Sequence, residues 1–108
     1  MNRGSVFWVN LEDAHPPELG KVRPGVVISN AVQNEVLDTV VVVPLSSQPG
    51  VIWPLRLELR LPGEKRSYAV IPGIRQVNKR RLLDTLGLVS AAQLAELDEA
   101  VQAYLSDG

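Results

Sequence analysis

The sequence predicts a mainly β fold, a small and strongly bent barrel with one helix appended at its C-terminal side. Three observations carry this expectation. Short runs rich in Val, Ile and Leu recur up to Val89, Pro-Gly pairs at 62–63 and 72–73 punctuate them, and one stripe at helical spacing follows. With 108 residues the chain has material for one modest core, so residues 1–108 are read as a single domain.

Ser5 to Asn10 reads as the first strand, since Val6, Phe7, Trp8 and Val9 favour a pleated backbone. Leu11 to Val22 is a polar loop with His15-Pro16-Pro17 and Gly20, long enough to carry function. Arg23-Pro24 opens a second strand, Gly25 to Ser29, because the first strand position can lack a ladder N–H. Thr39 to Leu45 is almost continuously apolar, as expected of a strand buried on both faces. Ser46-Ser47-Gln48-Pro49-Gly50 ends it with turn chemistry.

Leu55, Leu57, Leu59 and Leu61 alternate with Arg56, Glu58 and Arg60, predicting a strand with one buried and one solvated face. After Pro62-Gly63, Ser67 to Ile71 forms another strand, and after Pro72-Gly73 the segment Ile74 to Val77 resumes. Asn78 is placed to cap a helical turn over Lys79 to Leu83, and Leu86 to Val89 is a last short strand. The helix runs from Ala91 to about Leu105. Ser90 with Gln93 gives a capping box, and Leu94, Leu97, Val101, Tyr104 and Leu105 share one face. The sum is an SH3-like barrel of five to seven strands with an added helix.

Composition narrows the chemistry. Hydrophobic residues make up 45% and charged residues 21%, values of a folded globular chain. There is no cysteine and one histidine, which removes disulfides, thiolate nucleophiles and multi-histidine metal sites. No signal-peptide pattern and no membrane-length apolar run is present, so a cytoplasmic protein without membrane contact is expected. Net charge is −1 but uneven: residues 1–83 hold all 11 Lys and Arg, whereas Asp84, Glu96, Asp98, Glu99 and Asp107 stand without any. The first part can therefore face an anion while the acidic end stays clear of it.

Spacing alone reveals no nucleophile–base pair, no Gly-rich phosphate loop and no metal cluster. A series of segments in order does carry information. Arg3-Gly4, Val9-Asn10-Leu11, Glu18-x-Gly20-x-x-Arg23-Pro24 and Val26-Val27-Ile28-Ser29-Asn30 resemble the first third of the MazF/PemK/Kid toxins. Val41-Val42-Val43-Pro44-Leu45-Ser46-Ser47-Gln48 is similar to their V-x-V-P-x-T-S/T strand end. Ile74-Arg75-Gln76-Val77-Asn78-Lys79-Arg80-Arg81-Leu82 is similar to their I-R-T-V-x-K-x-R-L segment.

The resemblance implies a CcdB/MazF-type barrel, homodimeric, acting as a sequence-selective endoribonuclease on single-stranded mRNA. It implies no metal or other cofactor, and control by an antitoxin with an acidic, partly disordered tail. Metal-free cleavage uses the substrate's 2′-hydroxyl as nucleophile and leaves a 2′,3′-cyclic phosphate and a 5′-hydroxyl. Such chemistry needs a proton acceptor, a cation on the phosphorane and a donor for the leaving oxygen.

Arg23 matches the family's catalytic arginine, suited to bidentate contact with phosphate oxygens; on composition alone it is a solvated strand opener. Ser46 matches the catalytic threonine or serine, and otherwise belongs, with Ser47, to an ordinary turn. Gln48 occupies a frequent family position for base or backbone contact, and Glu18 stands where it can orient Arg23 or Lys21. His15 is the only imidazole, but Pro16-Pro17 separates it from Glu18, unlike the family's loop histidine.

Lys65-Arg66 and Arg75 with Lys79-Arg80-Arg81 supply cations for phosphate, or simply solvate their segments. Trp8 and Trp53 can stack bases, although burial in a core or dimer contact is their simpler fate. One departure stands out: Pro72-Gly73 replaces an acidic-Gln pair, and Val70 replaces an arginine, so the general base of one family branch is missing. Gly73 either opens room for another base or marks weaker activity. A CcdB-like gyrase poison and an SH3-like interaction domain are the competing readings.

Overall fold

The computed structural model describes residues 1–63 and 65–106. Seven strands form one strongly bent antiparallel sheet, in the order β4-β5-β3-β2-β1-β7, with β6 joined to β3. These are β1 (Ser5–Asn10), β2 (Val22–Val27), β3 (Thr39–Ser46), β4 (Arg56–Arg60), β5 (Arg66–Val70), β6 (Arg75–Asn78) and β7 (Leu82–Leu88). Helix α1 (Ala31–Val36) precedes β3, and α2 (Ala91–Leu105) ends the fold. Mainly β with a C-terminal helix is the architecture the sequence predicts.

β3 is the hub. Its first half pairs with β6, from Thr39 opposite Asn78 to Val42 opposite Arg75. Its end pairs with β5, Leu45 opposite Ala69 and Ser46 opposite Tyr68. Pro44 falls where β3 leaves β6 and joins β5, a break in the ladder where a residue without an N–H is tolerated. The 3₁₀ turn Ile71–Gly73 fills that break. Gly73 packs so tightly there that a Cβ would lie 2.6 Å from Pro44 Cγ. A side chain at this position would have to displace Pro44.

Burial follows the pleat. Val43 and Leu45 join Leu57, Leu59, Ala69 and Leu97 in one core, whereas Val40 and Val42 join Val9, Leu11 and Val77 in a second. β3 is therefore covered on both faces, as its apolar run predicts. Leu57, Leu59 and Leu61 point inward from the alternating strand, but Leu55 is 39% exposed because the strand begins only at Arg56. α2 seals the first core with Leu97 and Ala100. Its capping box forms, Ser90 Oγ accepting from Gln93 N at 3.1 Å. The stripe covers less than predicted, since Tyr104 and Leu105 stay exposed.

Other differences have local causes. α1 has no counterpart among the predicted elements; its signal is Asn30, whose side chain accepts from Val32 N and Gln33 N. Asn78 does cap a turn, but it is a 3₁₀ turn over Lys79–Arg81, and β7 begins at Leu82, four residues earlier than expected. Ile71 lies in the 3₁₀ turn rather than in β5. Trp53 is about half exposed, so this chain's own core does not take it. Of the acidic C-terminal residues, Asp98 pairs with Arg3 and fastens α2 to the start of β1, and Asp107 lies outside the described residues. No helix among the described residues is long and apolar enough to cross a membrane.

Candidate functional site

β2 and β3 run antiparallel with Gly25 opposite Pro44, Val26 opposite Val43 and Val27 opposite Val42. Continuing that register by two residues brings Arg23 level with Ser46. Both residues line one cleft of about 240 Å³, together with Trp8, Val22, Pro24, Leu45, Ser47, Lys65 and Ser67. The described lining carries two cations, Arg23 and Lys65, and no carboxylate. It is a largely apolar recess at the end of a buried strand, and the cations among its described residues give phosphate oxygens a favourable seat.

Arg23 is half-buried, with its Nε donating to Gly20 O at 2.8 Å. This bond fixes one edge of the guanidinium against the β1–β2 loop. Among the described residues Arg23 forms no ion pair with a carboxylate. Its remaining N–H groups are thus available in a planar fork that matches two phosphate oxygens. Arg23 also lines a second, more open cleft with Glu12, Ala14, Pro16, Glu18, Gly20 and Lys21, so it stands on the wall between the two.

Ser46 is almost enclosed, at 7% exposure, and its Oγ accepts from Gln48 N at 3.1 Å. With the oxygen engaged by a backbone N–H, the hydroxyl hydrogen can be given to a ligand in the cleft. The turn beyond is fastened by Arg56, whose Nη2 donates to Gln48 O at 2.8 Å and whose Nε donates to Gly50 O at 3.3 Å. Ser47 and Gln48 are exposed, and Ser47 shares the cleft wall.

The remaining sequence candidates fall into three groups. Lys21 and Glu18 border Arg23 through the second cleft. Lys21 holds a left-handed backbone, φ 65°, which sets the chain's approach to β2. Glu18 folds back on its own loop, its Oε1 accepting from His15 N at 3.1 Å. It also lines a third cleft, of about 310 Å³, with Pro17, Leu19, Val70, Pro72, Gly73, Ile74 and Arg75. His15 is exposed on the loop and lines none of the three clefts.

Arg75 reaches Asp13 at 3.4 Å, and Arg81 reaches the same carboxylate at 3.0 Å. The Arg75 hydrogen bond, with the charge of both arginines, holds the Asp13 carboxyl below its ordinary value. Lys79 and Arg80 follow Asn78, which pairs with Thr39 at the opposite end of β3 from Ser46. Seven residue steps along the strand separate those ends, about 23 Å at an extended rise. The fold therefore brings Arg23, Ser46, Ser47, Glu18 and Lys21 together and sets Lys79 and Arg80 apart.

Sequence reasoning named Lys65 and Trp8 only as general contributors and left out Ser67, yet all three line the Arg23–Ser46 cleft. Their proximity depends on β1 and β5 flanking the β2–β3 pair, which no local motif announces.

Comparison with known proteins agrees with this architecture. A family model described as PemK-like, MazF-like toxin of type II toxin-antitoxin system matches residues 2–105. The endoribonuclease MazF9 of Mycobacterium tuberculosis is 34% identical over 113 aligned positions, covering 97% of this chain and 96% of that protein. The endoribonuclease EndoA of Bacillus subtilis is 29% identical, covering 98% and 95% respectively.

Among solved structures, MazF from Deinococcus radiodurans matches with a TM-score of 0.86 at 24% identity, over 97% of this chain and 96% of that one. A mycobacterial endoribonuclease in complex with its cognate antitoxin matches with a TM-score of 0.83 at 23% identity, over 100% and 97%. At such identities the two structures speak for the fold. The family model and the mycobacterial relative, each spanning nearly the whole length, go further: the chain belongs to the PemK-like, MazF-like toxins of type II toxin–antitoxin systems.

Proposed function

We propose that this protein is a metal-independent, sequence-selective endoribonuclease toxin that cleaves single-stranded RNA at the Arg23–Ser46 cleft. The observation that carries the reading is the pairing, in one cleft, of an arginine that has no carboxylate partner among the described residues with a nearly enclosed hydroxyl.

The chemistry follows from what the recess offers. The substrate's 2′-hydroxyl passes its proton to solvent water and attacks the adjacent phosphorus, and water returns a proton to the departing 5′-oxygen. The bond to the 5′-oxygen breaks, leaving a 2′,3′-cyclic phosphate on one fragment and a 5′-hydroxyl on the other. Arg23 presents parallel N–H donors to the non-bridging oxygens as their charge grows, which is where fixed cations lower a barrier most. A guanidinium is a poor proton donor, so charge stabilisation is its primary role. Ser46 donates its hydroxyl hydrogen to the phosphate and holds it in line, while Lys65 and Lys21 receive flanking phosphates.

The required geometry fits an unpaired strand, because an A-form duplex holds its phosphodiesters away from in-line attack. The reading extends to partners that fit this site: a second copy of the chain, and an antitoxin whose acidic segment competes with RNA for the same cations. A cytoplasmic location belongs to the same reading. Incubation of the purified protein with a long single-stranded RNA in EDTA tests it. Discrete fragments with 5′-hydroxyl ends are expected; intact RNA overturns the proposal.

A further inference from the structure

We propose that Asp13 is a positioning residue for this reaction: seated between Arg75 and Arg81, it fastens the β1–β2 loop whose Gly20 carbonyl orients Arg23. The inference rests on the nuclease reading above and adds to it a residue outside the cleft's lining.

The loop from Leu11 to Lys21 closes on itself at its neck, where Leu11 N donates to Lys21 O at 2.8 Å. It has further short-range hydrogen bonds, among them Glu12 N to Asn10 Oδ1, Ala14 N to Leu11 O, Glu18 N to His15 O, and His15 N to the Glu18 carboxylate. Such bonds give the loop a shape, and the buried Leu11 side chain roots its first residue in the second core, but none of them reaches β6 or the 79–81 turn. Among the described residues, the hydrogen bonds and ion pairs from this loop to β6 and to the 79–81 turn all run through Asp13. Arg81 adds a second tie by donating to Asn10 O at 3.1 Å, so one guanidinium spans the strand end and the loop.

The consequence reaches Arg23 through Gly20. Arg23 Nε donates to Gly20 O, and a guanidinium is planar, so the carbonyl's position fixes which way the remaining N–H fork faces. A loop that swings takes the carbonyl with it. Arg75 and Arg81 act here as anchors. With both drawn to Asp13, they are engaged by the protein itself and stand back from the substrate.

The test compares Asp13→Asn and Asp13→Glu with wild type. Two readouts are used: single-stranded RNA cleavage resolved into kcat and KM, and water exchange of the Arg23 Nε–H followed by NMR without RNA. Asp13→Asn should lower kcat by about three- to tenfold, the range expected for losing an exposed two-arginine network. KM should change less than about twofold, and Nε–H exchange should quicken in the same proportion as kcat falls. Asp13→Glu, which keeps the charge, should recover most of both.

Unchanged exchange at Arg23 in Asp13→Asn overturns the proposal. So does a fall in KM at constant kcat, which would make Asp13 only a competitor of phosphate for the two arginines. The exchange measurement needs no RNA. A wild-type protein that cuts nothing would therefore sink the nuclease reading, while exchange alone would still decide whether Asp13 positions Arg23.

Discussion

Arg23 and Ser46 meet across the β2–β3 pair, brought level by a register that runs from Val27–Val42 through Gly25–Pro44 and sharing one cleft. The relationship is held by buried structure on both sides. Val26, Val43 and Leu45 belong to the same core, so sliding β2 against β3 by one residue would turn those side chains to the wrong face. The site's geometry is thus a by-product of the core's.

The Ser46 hydroxyl has two partners to serve. Ser46→Ala removes the donor aimed at phosphate and the acceptor for Gln48 N. Cleavage should fall by about tenfold or more, less than for a charged group. Stability should fall by about 1 kcal/mol, as for a lost turn hydrogen bond. Ser46→Thr keeps both functions. Single-turnover rates and urea midpoints for the two variants separate the roles; full activity in Ser46→Ala would reduce Ser46 to a turn residue.

Gly73 should resist any side chain. A Cβ there meets Pro44 Cγ at 2.6 Å, and Pro44 sits two residues before Ser46 in β3. Gly73→Ala should destabilise the fold by about 1–3 kcal/mol, the usual cost of overpacking. It should also slow cleavage by displacing the strand end. Denaturant midpoints check the first effect. A wild-type midpoint would show that the contact with Pro44 yields freely.

The C-terminal helix is held mainly by its middle. Leu97 is fully buried, whereas Tyr104 and Leu105 are exposed. Leu97→Ala should cost about 2–5 kcal/mol, the range for an enclosed leucine. Leu105→Ala should leave monomer stability within about 0.5 kcal/mol of wild type. Equilibrium unfolding of both variants provides the comparison.

Two exposed carboxylates should shape the acid limb of stability. Asp13 is held below its ordinary pKa first by its hydrogen bond to Arg75, and Glu35 first by its bond to the N-terminal ammonium of Met1 at 2.7 Å. A carboxyl with a lowered folded value stabilises fully above its unfolded pKa, and that contribution is lost as pH falls through the folded one. The stability gap between wild type and Glu35→Gln should therefore be present at neutral pH and close below about pH 4. A gap that widened on acidification would contradict the assignment.

Much of the fold could be read from the chain because its signals are local. The alternation from Arg56 to Leu61, the apolar run of β3 and the Ser90–Gln93 box each fix an element without distant help. α1 escaped because its six residues bury only Asn34, leaving Val32 and Val36 without an inward stripe. The start of β7 escaped because three successive basic residues read as a solvated helical turn. Arg23 and Ser46 stood out through family resemblance rather than spacing, being 23 positions apart with no motif joining them. The Asp13–Arg75–Arg81 cluster was invisible for the same reason, since 62 and 68 positions separate its members.

Whether Arg23 carries the reaction is decided by single-turnover cleavage of single-stranded RNA in EDTA by wild type and by Arg23→Ala, with the variant's fold verified by circular dichroism. Wild type should give discrete 5′-hydroxyl fragments and the variant a rate lower by about 10²- to 10³-fold, the loss expected for one transition-state donor. A folded Arg23→Ala protein that cuts at the wild-type rate would contradict that role.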